Sequence, residues 1–200
     1  MKRILIVTSN ANKVKEFKEM LEPLGYEVVS LRDLHDDEDV PEYGTTFAEN
    51  AVIKAEHGMK KYGVPAVADD SGLCIDAFDG GPGVQSARFL GHDTPYSYKN
   101  QVILERLKGV TNRGAQFHCA IAFAVPGAQT KVFEGILHGK IADEAKGNGG
   151  FGYDPIFWYP QYGKTGGELV PSEKNAVSHR GKAVRRFLEY FTEYSKTEKE

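Results

Sequence analysis

The stretch that most constrains this chain is Val64 to Ala68, followed by Asp69-Asp70-Ser71-Gly72-Leu73. An uncharged run of small and β-branched residues reads as a strand buried on both faces, as in a sheet covered by helices. The run then delivers two adjacent carboxylates, a hydroxyl and a glycine. In open α/β sheets ligands collect at the carboxyl ends of strands, which is where this group would stand. Successive strand side chains face opposite sides, so Asp69 and Asp70 need not share a site. One of them can ligate a hard cation or accept a proton while the other braces the turn. A plain Asp-Ser-Gly turn is the competing reading, because those residue types dominate turns.

The N-terminal part repeats the strand-then-helix pattern. Ile4-Leu5-Ile6-Val7 reads as a buried strand, and Thr8 to Lys13 leads into a helix with Val14, Phe17, Leu21 and Leu24 on one face. Asn10 or Asn12 can cap that helix. A strand feeding a capped helix start offers free backbone N–H groups and the positive end of a dipole to an anion, and Lys13 adds a point charge. The loop has no glycines and is not a Walker loop, and an ordinary capped turn with a solvated lysine explains it equally. Glu27 to Leu31 is the next strand. The acidic loop Asp33 to Glu42 reads mostly as a solvated surface, with Glu42 set apart just ahead of a helix. That helix opens on the capping box Thr46-Phe47-Ala48-Glu49 and ends at Gly63 and Pro65. Lys54 falls on it, where an exposed lysine is the ordinary outcome.

Farther on, Leu73 to Asp76 continues as a strand and Phe78 to Val84 is a glycine-rich loop. Arg88 either holds a carboxylate or covers a rim. Thr94-Pro95 suits the start of a helix that turns Tyr96, Asn100, Ile103, Leu104 and Leu107 to the core. Gln116 to Val125 alternates cleanly as a strand and returns through Pro126 to Gln129 into a second arm, Lys131 to Ile141. His118 and His138 on these arms have no ligand partners at metal spacing and read as structural. Gly147 to Gly152 would let backbone approach a ligand, with Phe151 or Tyr153 offering a flat face to a base. Packing of both aromatics into the core competes with that view. Pro171 to Asn175 opens a helical region capped by Ser172. Ser178-His179-Arg180 interrupts its periodicity before Val184, Phe187, Leu188 and Phe191 resume it, and Gly181 weakens the helix there. The interruption reads as a ligand-facing end or as a solvated basic turn.

Composition narrows the function classes. A net charge of −3 argues against a surface that coats a nucleic-acid polymer. No apolar run approaches the ~18 residues of a membrane span, and no signal peptide opens the chain. Cys74 and Cys119 stand far apart without a CxxC, as reduced thiols of a cytoplasmic protein do. Two hundred residues suffice for one domain, over residues 1–194, with 195–200 as a frayed charged tail.

Six segments in order resemble the inosine triphosphate pyrophosphatase family. They are Thr8-Ser9-Asn10 with Lys13 and Glu16, Thr46 to Ala51, Asp69 to Leu73, Gly83 to Phe89, Phe151 to Pro155, and Glu173-Lys174-Asn175 through Ser178-His179-Arg180. The resemblance implies an α/β fold, an elongated mixed β-sheet with flanking helices in two lobes around a central active-site cleft. It implies Mg²⁺-dependent hydrolysis of non-canonical purine nucleoside triphosphates (ITP, dITP, XTP) to the monophosphate and pyrophosphate, by a homodimer. The phosphates would lie against Thr8, Ser9, Asn10, Ala11, Asn12 and Lys13, helped by Lys54. Glu42 and Asp70 would hold the metal, Asp70 would accept the water's proton, and Asp69 shares or takes that role. Ser71 would touch the substrate. Phe151, Gly152, Tyr153 and Asp154, with Lys174, His179 and Arg180, would form the base pocket. Tyr153 stands where some members have tryptophan.

The chemistry agrees. Cleaving a phosphoanhydride calls for a cation against developing charge, a carboxylate for the water and donors around the phosphates. Arg180 or protonated His179 can donate to a keto oxygen at the six-position of a purine, a donor that adenine would leave unpaired. A Maf-like nucleotide pyrophosphatase and a nucleotide sensor without turnover are the alternatives. The paired acids favour catalysis over mere binding of a polyanion.

Overall fold

Alternation of apolar runs with amphipathic segments is realised as a seven-stranded sheet with helices. The computed structural model describes residues 2–38 and 40–197, without the side chain of Asn12. The strands are β1 (Lys2–Ile6), β2 (Tyr26–Ser30), β3 (Ala66–Ile75), β4 (Gly114–Ala124), β5 (Lys131–Ile141), β6 (Phe157–Tyr159) and β7 (Lys164–Thr165). The helices are α1 (Ala11–Leu21), α2 (Phe47–Tyr62), α3 (Tyr96–Arg106), α4 (Pro171–Val177) and α5 (His179–Thr197). The sheet order is β2-β1-β3-β4-β5-β6-β7. β1 pairs in parallel with β2 and β3, and β6 pairs antiparallel with β5 and β7, so the sheet is mixed as predicted. The parallel part is built by crossovers through α1 and α2, which cover it and explain why β1 is apolar throughout its buried half.

Contacts group the chain into two units, 1–70 with 120–134 and 183–200, and 71–119 with 135–182. The core of the first holds Ile4 to Val7, Phe17, Leu21, Phe123, Phe187 and Phe191, all buried. Its aromatic rings meet mostly edge to face, Phe17 with Phe187 at 6.3 Å and Phe123 with Phe191 at 5.4 Å. The core of the second is built on Leu73, Ile75, Ile103, Leu107, Phe117, Leu137, Ile141, Ile156, Phe157 and Tyr159. Cys74 and Cys119 are both free thiols.

Local expectations hold in most places and fail at four. α2 carries the full capping box between Thr46 and Glu49 and ends on Gly63 in the left-handed region, φ 66°. Thr94 does not cap α3. Pro95 takes that position, the Thr94 hydroxyl donates instead to the Leu90 carbonyl at 2.6 Å, and Tyr96 is 39% exposed at the helix start rather than turned to the core. Ser172 does not cap α4 either. Val170 precedes Pro171 at the first helical position, and Glu173 accepts from the Val170 N–H at 3.4 Å. Finally, α5 continues through Thr197, so residues 195–197 of the supposed tail are helical. Ser195 is buried there and donates to the Thr192 carbonyl at 2.8 Å. Residues 198–200 lie outside the described residues.

Candidate active site

β3 delivers the acid pair, but from its body rather than its end. Asp69 and Asp70 sit inside the continuous strand Ala66–Ile75, so the competing Asp-Ser-Gly turn, at Asp70-Ser71-Gly72, is absent. The reason lies in the neighbours. β1 pairs with β3 only at Ala66 and Val67 and stops at Ile6, whereas β4 stands along the other side of β3. A strand with one neighbour still beside it has no cause to turn. The acids therefore pass the carboxyl end of β1, and the rim rule applies to that strand.

Strand alternation sends the two carboxylates to different partners. Asp69 Oδ2 meets Lys13 Nζ at 2.8 Å. Asp70 Oδ2 accepts from Asn50 Nδ2 at 3.1 Å, and its Oδ1 lies 3.8 Å from Lys54 Nζ. The Lys54 ammonium donates to Glu42 Oε1 at 2.8 Å and to the Asp69 carbonyl at 2.7 Å. Lys54 is thus no solvated lysine: its side chain is 14% exposed and three acidic residues surround it. Burial works against its charge, but Asp69, Asp70 and Glu42 outweigh that and hold its pKa above the ordinary lysine value. Asp70 shows the opposite balance. Burial pushes its carboxyl up, and the pull of Lys54 and of the Asn50 amide does not fully reverse it.

The first βα turn opens onto a cavity that Glu42 and Lys54 also line. This cavity, of about 370 Å³, is lined by Thr8, Ser9, Arg32, Glu38, Glu42 and Lys54 among others. Asn10 caps α1, accepting from the Lys13 N–H on its side-chain oxygen at 3.4 Å and from the Val14 N–H on its carbonyl at 3.1 Å. α1 begins at Ala11, so its first-turn N–H groups and positive dipole end follow directly on Thr8 to Asn10. The Asn12 side chain lies outside the described residues.

The second unit holds the other predicted residues. Phe151 is 58% exposed, whereas Tyr153 is buried and donates to the Ser86 carbonyl at 2.6 Å. Tyr153 also packs edge to face on Tyr96 at 5.1 Å. Of the two aromatics offered as a flat face, only Phe151 is open; Tyr153 belongs to the core because its hydroxyl finds a buried partner. Asp154 lies beneath Phe151, accepting from its N–H at 2.8 Å and from Lys174 Nζ at 2.5 Å. The same ammonium sits 4.4 Å from the Phe151 ring centroid. Gly152 takes φ 65°, and its carbonyl accepts from Asn100 Nδ2 at 3.1 Å. Ser178 breaks α4 from α5 with extended backbone and accepts from the Gly181 N–H at 3.0 Å, so the predicted interruption is a cap. The His179 ring then stacks on Phe117 at 4.8 Å, and Arg180 Nη2 reaches Ser71 Oγ at 3.4 Å.

Sequence reasoning missed Asn50 and Arg32. Asn50 is buried, gives its amide to Asp70 and accepts from the Gly44 N–H at 2.8 Å, so one side chain orients an acid and a loop together. The signal was a polar residue one helical turn before Lys54, on the same face. Arg32, in the single helical turn Arg32–Leu34, lines the cavity and carries no signal in the sequence.

A model of the Ham1 family matches residues 4–190. A protein named dITP/XTP pyrophosphatase from Geobacillus kaustophilus is 49% identical over 195 residues, 96% of either chain. Another of that name from Bacillus subtilis is 47% identical over 188 residues, 93% of this chain and 95% of its own. The solved structure of the Staphylococcus aureus Ham1 protein superposes with a TM-score of 0.90 at 39% identity, covering 95% of this chain and 98% of that one. A match that runs from β1 into α5, in sequence and in fold alike, shows that the chain belongs to the Ham1 family.

Proposed function

We propose that this protein is a nucleoside triphosphate pyrophosphohydrolase, acting on ITP, dITP and XTP to give the monophosphate and pyrophosphate with Mg²⁺. The observation that carries the reading is the convergence of Glu42 and Asp70 on one ammonium, in the unit that also presents the α1 N-terminus. The names of the relatives support the substrate class, and the family match favours it over the Maf-like alternative.

The donor set fits a divalent cation. Glu42 and Asp70 already approach a single positive charge, at 2.8 and 3.8 Å, and both present the hard oxygens that Mg²⁺ prefers. Among the described residues no group of three His, Cys, Asp or Glu side chains suited to a metal occurs, so these two carboxylates would hold the ion and the substrate's phosphates would complete its shell. When bound, the cation neutralises charge that develops on the phosphate oxygens. The protein's own groups supply the rest. Thr8 to Lys13 take the phosphates on backbone N–H groups and hydroxyls, and Lys54 adds a buried charge. Asp70 accepts a proton from the attacking water, and the anhydride bond between the α- and β-phosphates breaks to release pyrophosphate. Asp69 is taken up by its ion pair with the Lys13 ammonium at 2.8 Å.

The second unit reads the base. Phe151 stacks on the purine, and Arg180 or His179 donates to the six-keto oxygen, with Lys174 and Asp154 setting the loop beneath. Both units then work as one nucleotide pyrophosphatase domain, a homodimer in the cytoplasm. Phosphorus NMR over a panel of triphosphates with Mg²⁺ tests the reading: ITP and XTP should yield pyrophosphate and monophosphate. Orthophosphate release, pyrimidine preference, or binding of ITP without turnover would each overturn it. Sedimentation at micromolar protein checks the dimer.

A further inference from the structure

One face of α2 carries no apolar stripe but a polar one. Asn50, Lys54, His57 and Lys61 follow at spacings of four, three and four, which places them in line along the helix. Asp36, Glu38, Glu42 and Gly44 meet that line in reverse order, Gly44 at Asn50 and Asp36 at Lys61. Gly44 N–H donates to Asn50 Oδ1 at 2.8 Å, Glu42 meets Lys54 at 2.8 Å, and Glu38 lies 3.6 Å from His57 Nε2. At the far end Lys61 Nζ bridges two carboxylates, Asp36 at 2.8 Å and Glu38 at 2.6 Å. Asp36 also accepts from the Tyr62 hydroxyl at 2.5 Å and from the Glu38 N–H at 3.1 Å. Asp39 lies outside the described residues.

Exposed ion pairs contribute little as a rule, but this one differs in kind. Lys61 and Glu38 are 36% and 49% exposed, but the Asp36 side chain is only 11% exposed, and one ammonium ties two residues of one strap to a helix. The strap carries Glu42: its Gly44 end is held by Asn50 and, just beyond, by Glu49 on the Thr45 and Thr46 N–H groups, and its Asp36 end is held by Lys61. We propose that Lys61 is a positioning residue: by clamping Asp36 and Glu38 it fixes the strap along α2, so that Glu42 faces Asp70, and it thereby sets the affinity for the divalent cation. The inference rests on the assignment of Glu42 and Asp70 to the metal.

The test uses the full chain and Mn²⁺ as the probe, with free Mn²⁺ read by electron paramagnetic resonance in the absence of nucleotide. Lys61→Met should weaken Mn²⁺ binding about tenfold, the lower end of the range for groups that orient a metal ligand. Lys61→Arg should restore most of the loss, since it keeps both carboxylates paired. Asp36→Asn should weaken binding too, and the double variant Asp36→Asn with Lys61→Met should be no worse than the more severe single one. The kcat on ITP at saturating metal should stay within about twofold, because a positioning role shows in metal affinity. A thermal melt of each variant confirms the fold. Lys61→Met binding Mn²⁺ like the unaltered protein, while Glu42→Gln binds it weakly, overturns the role of Lys61 alone. If Glu42→Gln also leaves binding unchanged, the metal assignment itself fails.

Discussion

The two candidate clusters solve opposite problems. In the first unit, Asp69, Asp70 and Glu42 face two ammonium groups, Lys13 and Lys54, and the three carboxylates are no more than 19% exposed. In the second, an ion pair between Lys174 and Asp154 supports an aromatic ring that is more than half exposed. Charge buried at close quarters is rigid and strongly felt, which suits chemistry on a polyanion. An open ring on a loop suits recognition of a flat base, where stacking tolerates the details of what stacks. The comparison teaches that turnover should depend on the first cluster and substrate affinity on the second.

The sharpest way to break it is Asp70→Asn. Loss of a positioned base should lower kcat by about 10²- to 10⁴-fold, measured as pyrophosphate release, with ITP affinity by calorimetry little changed. A large loss of affinity with kcat preserved would reverse the assignment of roles. The same variant bears on stability. Because burial raises the Asp70 pKa in the folded protein above its unfolded value of 3.8, the native state binds more protons between those two values. Stability from this group is therefore full below pH 3.8 and falls as pH rises through the folded pKa. In chelator at pH 7, Asp70→Asn should melt higher than the unaltered protein, and the gap should close as pH is lowered toward 4.

Phe151→Ala tests the other side. Removal of a stacking face should cost about 1–3 kcal/mol of base binding, seen as a higher KM for ITP with kcat changed much less. Gly44→Ala sharpens the first side again. A Cβ there would stand 2.6 Å from Asn50 Oδ1 and 2.7 Å from Glu49 Cβ, and relieving such crowding costs about 1–3 kcal/mol. A denaturant melt should show the loss, together with a higher Mg²⁺ requirement as Asn50 shifts away from Asp70. The smallest effect belongs to Ser178→Ala. Removing the cap of α5 should lower stability by about 1 kcal/mol and raise KM modestly through His179 and Arg180, leaving kcat nearly intact.

Much of the site was legible because its elements are local. The capping box at Thr46, the asparagine cap of α1, the Gly63 stop and the break at Ser178 are each decided within a few residues. Side chain meets backbone there before any distant contact forms. The β4–β5 arms were legible for the same reason, through period-two alternation and a Pro-Gly turn. The failures share a cause as well. Asp69 and Asp70 look like a turn in isolation, and only the β4 neighbour keeps them in a strand. Phe151 and Tyr153 are near-equivalent as residue types two positions apart, and only the carbonyl of Ser86, distant in sequence, buries one of them.

By itself the sequence determined most of the longer strands and helices, several of their caps, and which residue types could serve a nucleotide, since these follow from short-range sterics, capping and hydrophobic period. The tertiary structure alone decided the pairings: Lys13 with Asp69, Lys54 with Glu42 and Asp70, Asn50 between Gly44 and Asp70. Those depend on which charges are brought together out of water, and the strength of an ion pair is set by distance and burial, neither of which a residue carries in its own chemistry.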